Sequence, residues 1–119
     1  MTNQQPKRRS GNTPADYVEV LSGPEDGKVF ELRGDLATIG READNDICVP
    51  LELSISRHHA RLVKDDDHYR LEVLNDARNG GRAGAQSLDP GQTAILQRPG
   101  VFELGNVSFL LGGGAGWQG

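Results

Sequence analysis

Apolar and polar residues alternate in short bursts along this chain, and no apolar period of three to four persists for a dozen residues. Residues 17–21 (Y-V-E-V-L) alternate as a half-buried strand does, S-G-P-E-D-G turns the chain, and residues 28–32 return as its hairpin partner. Beyond the Arg33-Gly34-Asp35 turn, residues 36–40 predict the next strand. The segment E-A-D-N-D at 42–46 is too polar for a core and predicts a loop. Residues 47–49 form a short strand stopped by Pro50, and residues 51–56 predict a second loop with Leu53 and Ile55 tucked beneath it. Residues 60–63 and 69–74 alternate as strands joined by K-D-D-D-H, whereas residues 75–86 (N-D-A-R-N-G-G-R-A-G-A-Q) are turn chemistry throughout. Asp89-Pro90-Gly91 leads into a strand at 92–96, and strands at 101–104 and 107–111 flank Gly105-Asn106 as a second hairpin. Short strands at regular spacing with turns between them predict an all-β fold, two sheets packed as a β-sandwich.

Composition fits that reading. Aromatic residues are 5%, and 16 Gly with 6 Pro supply ample turn positions. The single cysteine, Cys48, excludes an internal disulfide and reads as a small hydrophobe in an apolar run. No apolar run reaches the length of a membrane span, and the first ten residues lack the apolar segment of a secretory signal, so a cytoplasmic location is expected. The formal charge of -4 is unevenly spread. Residues 1–15 carry Lys7, Arg8 and Arg9 without an acid, for +3, whereas residues 16–119 hold the other 10 basic and all 17 acidic residues, for −7. An acidic body argues against nucleic acid as a partner. Residues 1–15, polar and without apolar period, are expected to form a disordered basic tail. Residues 16–111 are expected to form the domain and 112–119 a flexible Gly-rich tail.

Against this acidic body, the arginines at the predicted loops are conspicuous. Arg41, Arg57, Arg78 and Arg82 all stand on or beside connections, with Ser56 and Asn79 among them. A guanidinium offers a planar fork of N–H donors that matches phosphate oxygens, and a serine hydroxyl adds a short donor near the backbone. Other chemistries fit poorly. The three consecutive Asp lack the twelve-residue calcium loop, and the glycines of 80–84 lack the G-x-x-x-x-G-K-[ST] pattern of a nucleotide loop. Ser56 with His59 shows no third orienting group, so no residue is assigned a catalytic role. The three His and Cys48 lack zinc-ligand spacing, and neither a metal nor a cofactor is expected.

Gly40-Arg41, then Ser56–His59 within S-R-H-H-A, then Asn79-Gly80, in this order, resembles the forkhead-associated (FHA) domain family. The likeness runs from the opening V-L-S-G-P-E-D-G-K-V-F-E-L to the closing F-E-L-G-N-V-S-F-L-L. It implies a β-sandwich that binds phosphothreonine peptides with loops at one end, in Ser/Thr-kinase signalling or regulated assembly, without catalysis. On that likeness, Arg41 and Ser56 are the phosphate-binding residues, and Asn79 bonds the ligand backbone. Arg57 is a peptide contact, and Gly40, His59 and Gly80 shape the site; Arg78 either adds a charge-assisted peptide contact or fills the pocket that admits the threonine methyl. Two positions depart from the family pattern: Arg78 stands where a hydroxyl residue often precedes Asn-Gly, and Ala83-Gly84 stands where a second Asn-Gly is common. These departures keep open a phosphate-independent interaction or scaffold module in a larger complex. The resemblance further implies a Ser/Thr kinase upstream. Thr13, with Asp16 three residues on, is a candidate phosphosite whose phosphorylated tail can fold back onto Arg41 and Ser56; Ser10 and Thr2 are further candidates.

Overall fold

The computed structural model describes residues 16–113. Among these residues eleven strands follow one another without an intervening helix: β1 (Tyr17–Val20), β2 (Val29–Glu31), β3 (Leu36–Gly40), β4 (Ile47–Cys48), β5 (Ala60–Asp65), β6 (His68–Val73), β7 (Gly81–Ala83), β8 (Gln86–Leu88), β9 (Thr93–Leu96), β10 (Gly100–Leu104) and β11 (Val107–Gly112). They form a six-stranded sheet, β2-β1-β11-β10-β7-β8, and a five-stranded sheet, β4-β3-β5-β6-β9. Neighbouring strands in both sheets are antiparallel except β3 and β4, which run parallel with Ile39 opposite Ile47 and Gly40 opposite Cys48. The expected sandwich is therefore present, and all of its strands but β7 and β8 fall where the alternation placed them.

Alternation decides which side of each strand is covered. Val18 and Val20 of β1, Phe102 and Leu104 of β10, and Phe109 and Leu111 of β11 are buried, as are Ile39, Leu62, Leu71 and Val73 of the other sheet. Phe102 and Phe109 are cross-strand partners whose rings stack with centroids 5.0 Å apart. Each such ring contributes about 1.5–3 kcal/mol by leaving water. At the edge of the core the Tyr69 hydroxyl donates to Asp16 Oδ2 at 2.6 Å, and Arg98 Nη1 donates to Asp16 Oδ1 at 2.8 Å. Burial and then the Asp16 carboxylate push the Tyr69 phenol well above its ordinary range.

Two expectations need correction. Residues 75–86 are not all turn: β7 and β8 form a hairpin across Gly84-Ala85, and β7 is held by β10, with Ala83 opposite Phe102 and Gly81 opposite Leu104. In the second loop Ile55 is buried as expected, but Leu53 is 75% exposed and Glu52 turns inward in its place. The reason is hydrogen bonding. Glu52 Oε2 accepts from the Glu25 N–H at 3.0 Å, and Glu25 Oε2 accepts from the Leu51 N–H at 2.8 Å. Burial works to raise Glu25, but the Lys28 ammonium and the Leu51 N–H outweigh it and hold this carboxyl below its usual range. The exchanged carboxylates fasten the β4–β5 loop to the β1–β2 turn, which fixes the frame of the site.

Candidate functional site

The β3–β4 loop carries Arg41 and is clasped at its base. Thr38 N–H donates to Asp46 Oδ2 at 2.9 Å, and Asp46 N–H donates to Thr38 Oγ1 at 3.0 Å. The β4–β5 loop lies directly against it: Arg41 N–H donates to the Ser56 carbonyl at 3.2 Å and Glu42 N–H to the Arg57 carbonyl at 3.2 Å. Gly40 is what permits this approach, because a Cβ built there would stand 2.0 Å from the Arg57 oxygen. Gly40→Ala is expected to push the two loops apart and lower stability by about 2 kcal/mol or more, the scale of an overpacked buried site. Chemical denaturation with loop amide shifts by NMR would check this, and unchanged shifts at 41 and 56–58 would refute it.

Asn45 completes the clasp and was missed by sequence reasoning, which took its polar neighbourhood as exposed. It is buried, and its Nδ2 donates to the Glu42 carbonyl at 2.9 Å and to the Arg57 carbonyl at 2.8 Å. No sequence signal separates it from the acids around it.

A third loop joins through His59, which is fully buried. Its Nδ1 accepts from the Ser56 N–H at 3.0 Å, and its Nε2 lies 3.1 Å from the Gly80 carbonyl. A backbone N–H only donates and a carbonyl only accepts, so the neutral ring carries its proton on Nε2. Burial pushes the imidazole below its ordinary value, against the opposing pull of the Gly80 and Asn79 backbone. Gly80 is likewise required for space, since a Cβ there would lie 2.1 Å from the Leu88 carbonyl oxygen.

These three loops enclose a cleft of about 590 Å³ lined by Arg41, Ser56, Arg57, His58, Leu74, Asn75, Asp76 and Arg78. Arg41 Nε donates to the Ile55 carbonyl at 2.6 Å, and its terminal nitrogens have no partner among the described residues. Ser56 Oγ accepts from the Arg78 N–H at 2.8 Å, so its own proton remains available to a ligand. Three guanidinium groups thus face one carboxylate, Asp76, which the sequence reading did not single out. His58 is tied at the rim to Asp44, 2.9 Å away.

Asn79 and Gly80 sit next to this cleft rather than in it. Together with Arg82, Ser87, Asp89, Glu103 and Asn106 they help line a neighbouring depression of about 370 Å³. Asn79 Nδ2 donates to the Ser54 carbonyl at 2.8 Å, while Ser54 Oγ accepts from the Asn106 N–H at 2.9 Å. Ser54 therefore joins the Asn79 loop to the β10–β11 turn. The candidate phosphosites Thr2, Ser10 and Thr13 lie outside the described residues. No group of three or more potential metal ligands occurs among the described residues.

Comparison with known proteins decides the family. Residues 19–113 match the family described as "Inner membrane component of T3SS, cytoplasmic domain". The chain belongs to this family, and its domain is of the FHA type. Among solved structures, the FHA domain of the CT664 protein from Chlamydia trachomatis is 27% identical with a TM-score of 0.71, covering 85% of this chain and 99% of that one. An FHA domain of a hypothetical protein from Arabidopsis thaliana is 25% identical with a TM-score of 0.74, covering 93% of this chain and 98% of that one. The N-terminal FHA domain of Rad53p from S. cerevisiae, in complex with a phosphothreonine peptide, shares the fold at 15% identity and a TM-score of 0.67, covering 83% and 93%. No curated protein sequence matches the chain. No helix of this FHA domain's described residues is long and apolar enough to cross a membrane.

Proposed function

We propose that this FHA domain is a non-catalytic, cytoplasmic reader of phosphothreonine peptides, placed downstream of a Ser/Thr kinase. The observation that carries the reading is the lining of one cleft by Arg41 and Ser56, from separate loops, with Arg57 and Arg78 beside them in an otherwise acidic domain. A phosphoryl group brings about −1.5 to −2 charges and three acceptor oxygens. Arg41 meets it as a fork already tethered through Nε, and Ser56 donates its hydroxyl proton. Arg57 and Arg78 contact the peptide on either side. The yeast neighbour's phosphothreonine complex supports the reading at the level of the shared fold.

The test is a fluorescence titration with peptide sets that differ only in phosphorylation. At least a hundredfold preference for the phosphorylated member is expected, and equal affinities would overturn the reading. Asn79 contributes to the ligand backbone through its Oδ1, which has no partner among the described residues, and to Ser54 through Nδ2. Asn79→Ala is expected to weaken peptide binding about tenfold while costing about 1 kcal/mol of stability, the range of one hydrogen bond. The same titration, with a urea melt, checks both numbers.

The phosphorylated tail supplies a competitor in cis. Chain phosphorylated at Thr13, Ser10 or Thr2 is expected to bind an external phosphopeptide more weakly than unmodified chain, and equal binding removes that contact.

A second reading has its own support. The family is described as a cytoplasmic domain of an inner membrane T3SS component, and Asp76 places a carboxylate in the anion cleft. Under this reading the domain docks in a larger assembly without phosphate. Equal affinities for paired peptides favour it.

A further inference from the structure

We propose that the outer face of the five-stranded sheet is a self-association surface whose occupant is a second copy of this chain. The face is built in register across β3, β5, β6 and β9. One row runs Leu36–Val63–Arg70–Ile95, and the next runs Thr38–Arg61–Glu72–Thr93. A third row, at the β5–β6 turn, pairs Asp65 with His68. Apart from Asp65 at the strand end, which is exposed together with its neighbours, these side chains alternate with buried ones and so point away from the core.

Consider a two-fold axis in the plane of contact, parallel to the strands and above the seam between β5 and β6. It lays β5 over the partner's β6 and β3 over the partner's β9, and it keeps every row in place. Arg61 then meets Glu72 of the other copy, and Glu72 meets its Arg61. Asp65 meets His68, Leu36 meets Ile95, Thr38 meets Thr93, and Val63 lies along the Arg70 stem. An isologous contact requires residue i to fit j and j to fit i, and every pair here satisfies that condition. A partner of unrelated sequence would have to reproduce the same alternation of sign.

The apolar ends are open: Leu36 and Ile95 are each 52% exposed. The charged centre is already ordered within one copy. Arg61 donates to Glu72, Arg70 Nε donates to Glu72 Oε2 at 2.7 Å, and Arg70 Nη1 reaches Asp65 at 3.4 Å. Hydrogen bonds from Arg70, outweighing partial burial, hold Glu72 below the usual carboxylate range, so the face keeps its alternating charge at neutral pH. Side chains ordered in advance lose less freedom on association. The ten positions of this face, on strands about 4.8 Å apart and in rows about 6.7 Å apart, cover roughly 320 Å² per copy. That is well below the roughly 800 Å² per partner of a stable complex, so the pair is weak and salt-sensitive and forms where copies are concentrated.

The experiment is sedimentation equilibrium of the full chain at low salt, from about 20 µM to about 1 mM, the span in which so small an interface would populate. The weight-average mass is expected to rise toward the dimer, and to fall back as salt is added. Arg61→Glu alone and Glu72→Arg alone each put like charges opposite one another and are expected to stay monomeric. Mixed in equal amounts they restore both opposite pairs across the axis, and association is expected to return. Both variants lose the same pair within one chain, so a folding defect cannot produce recovery on mixing. Leu36→Asp, away from the ion pairs, is expected to lower association at least tenfold. A wild-type chain that is monomeric at the highest concentration, or association that survives Leu36→Asp, overturns the proposal. So does a mixture that stays monomeric.

Discussion

Arg41→Ala is expected to abolish calorimetrically detectable binding of a phosphothreonine peptide at micromolar concentration. Removing one partner of a desolvated charged pair typically costs about 2–5 kcal/mol, some 30-fold to several thousand-fold in affinity. The fold should survive, because the side chain is only half-buried and its lost contact is the single hydrogen bond from Nε to the Ile55 carbonyl. Circular dichroism on the same sample separates lost binding from lost structure. A folded variant with near-wild-type affinity would take Arg41 out of the site and the phosphate reading with it.

His59→Ala should act on stability first and on binding as a result. The substitution empties a fully buried site and leaves the Ser56 N–H without its partner, while the Gly80 carbonyl keeps the Gly105 N–H at 3.1 Å. A core cavity together with one orphaned backbone group is worth about 3–5 kcal/mol. The wild-type ring also makes stability depend on pH in a definite direction. Its native pKa lies below the ordinary 6.5, so under acidic conditions the unfolded chain binds the proton first. The contribution of His59 is therefore complete above about pH 6.5 and is lost progressively as pH falls from there toward the native pKa. Urea melts of wild type and variant at about pH 7.5 and about pH 5.5 bracket this window. The wild type should lose more stability than the variant between the two conditions, and parallel losses would show that His59 does not titrate in this range.

Much of this arrangement was legible in the sequence because sheets write themselves as alternation. Val18 and Val20, Leu62, Leu71 and Val73, and Phe109 and Leu111 all occupy every second position of their strands, and Gly105-Asn106 marks its turn directly. Gly40, Arg41, Ser56 and His59 were readable because their order along the chain carries a family pattern. What escaped was decided by tertiary contact. β7 and β8 are three residues each, rich in small side chains, and exist because β10 offers β7 a ladder to complete. Local preference at N-G-G-R-A-G-A-Q says turn, and the neighbouring strand overrides it. Asn45 lies in a segment read as too polar for a core, and Glu52 in a loop where only Leu53 and Ile55 were expected inside, yet each is buried with a backbone hydrogen bond. Asp76 and Asp44 lie in stretches where every residue looks like loop, and only the folded shape shows that one lines the cleft and the other meets His58.

The tether on Arg41 has a consequence for what can replace it. The side chain spends Nε on the Ile55 carbonyl and still presents a two-pronged tip to the cleft. Lysine has a single nitrogen and must choose between anchor and grip. Position 41 therefore demands a shape as well as a positive charge, and a residue that preserves only the charge leaves its tip swinging.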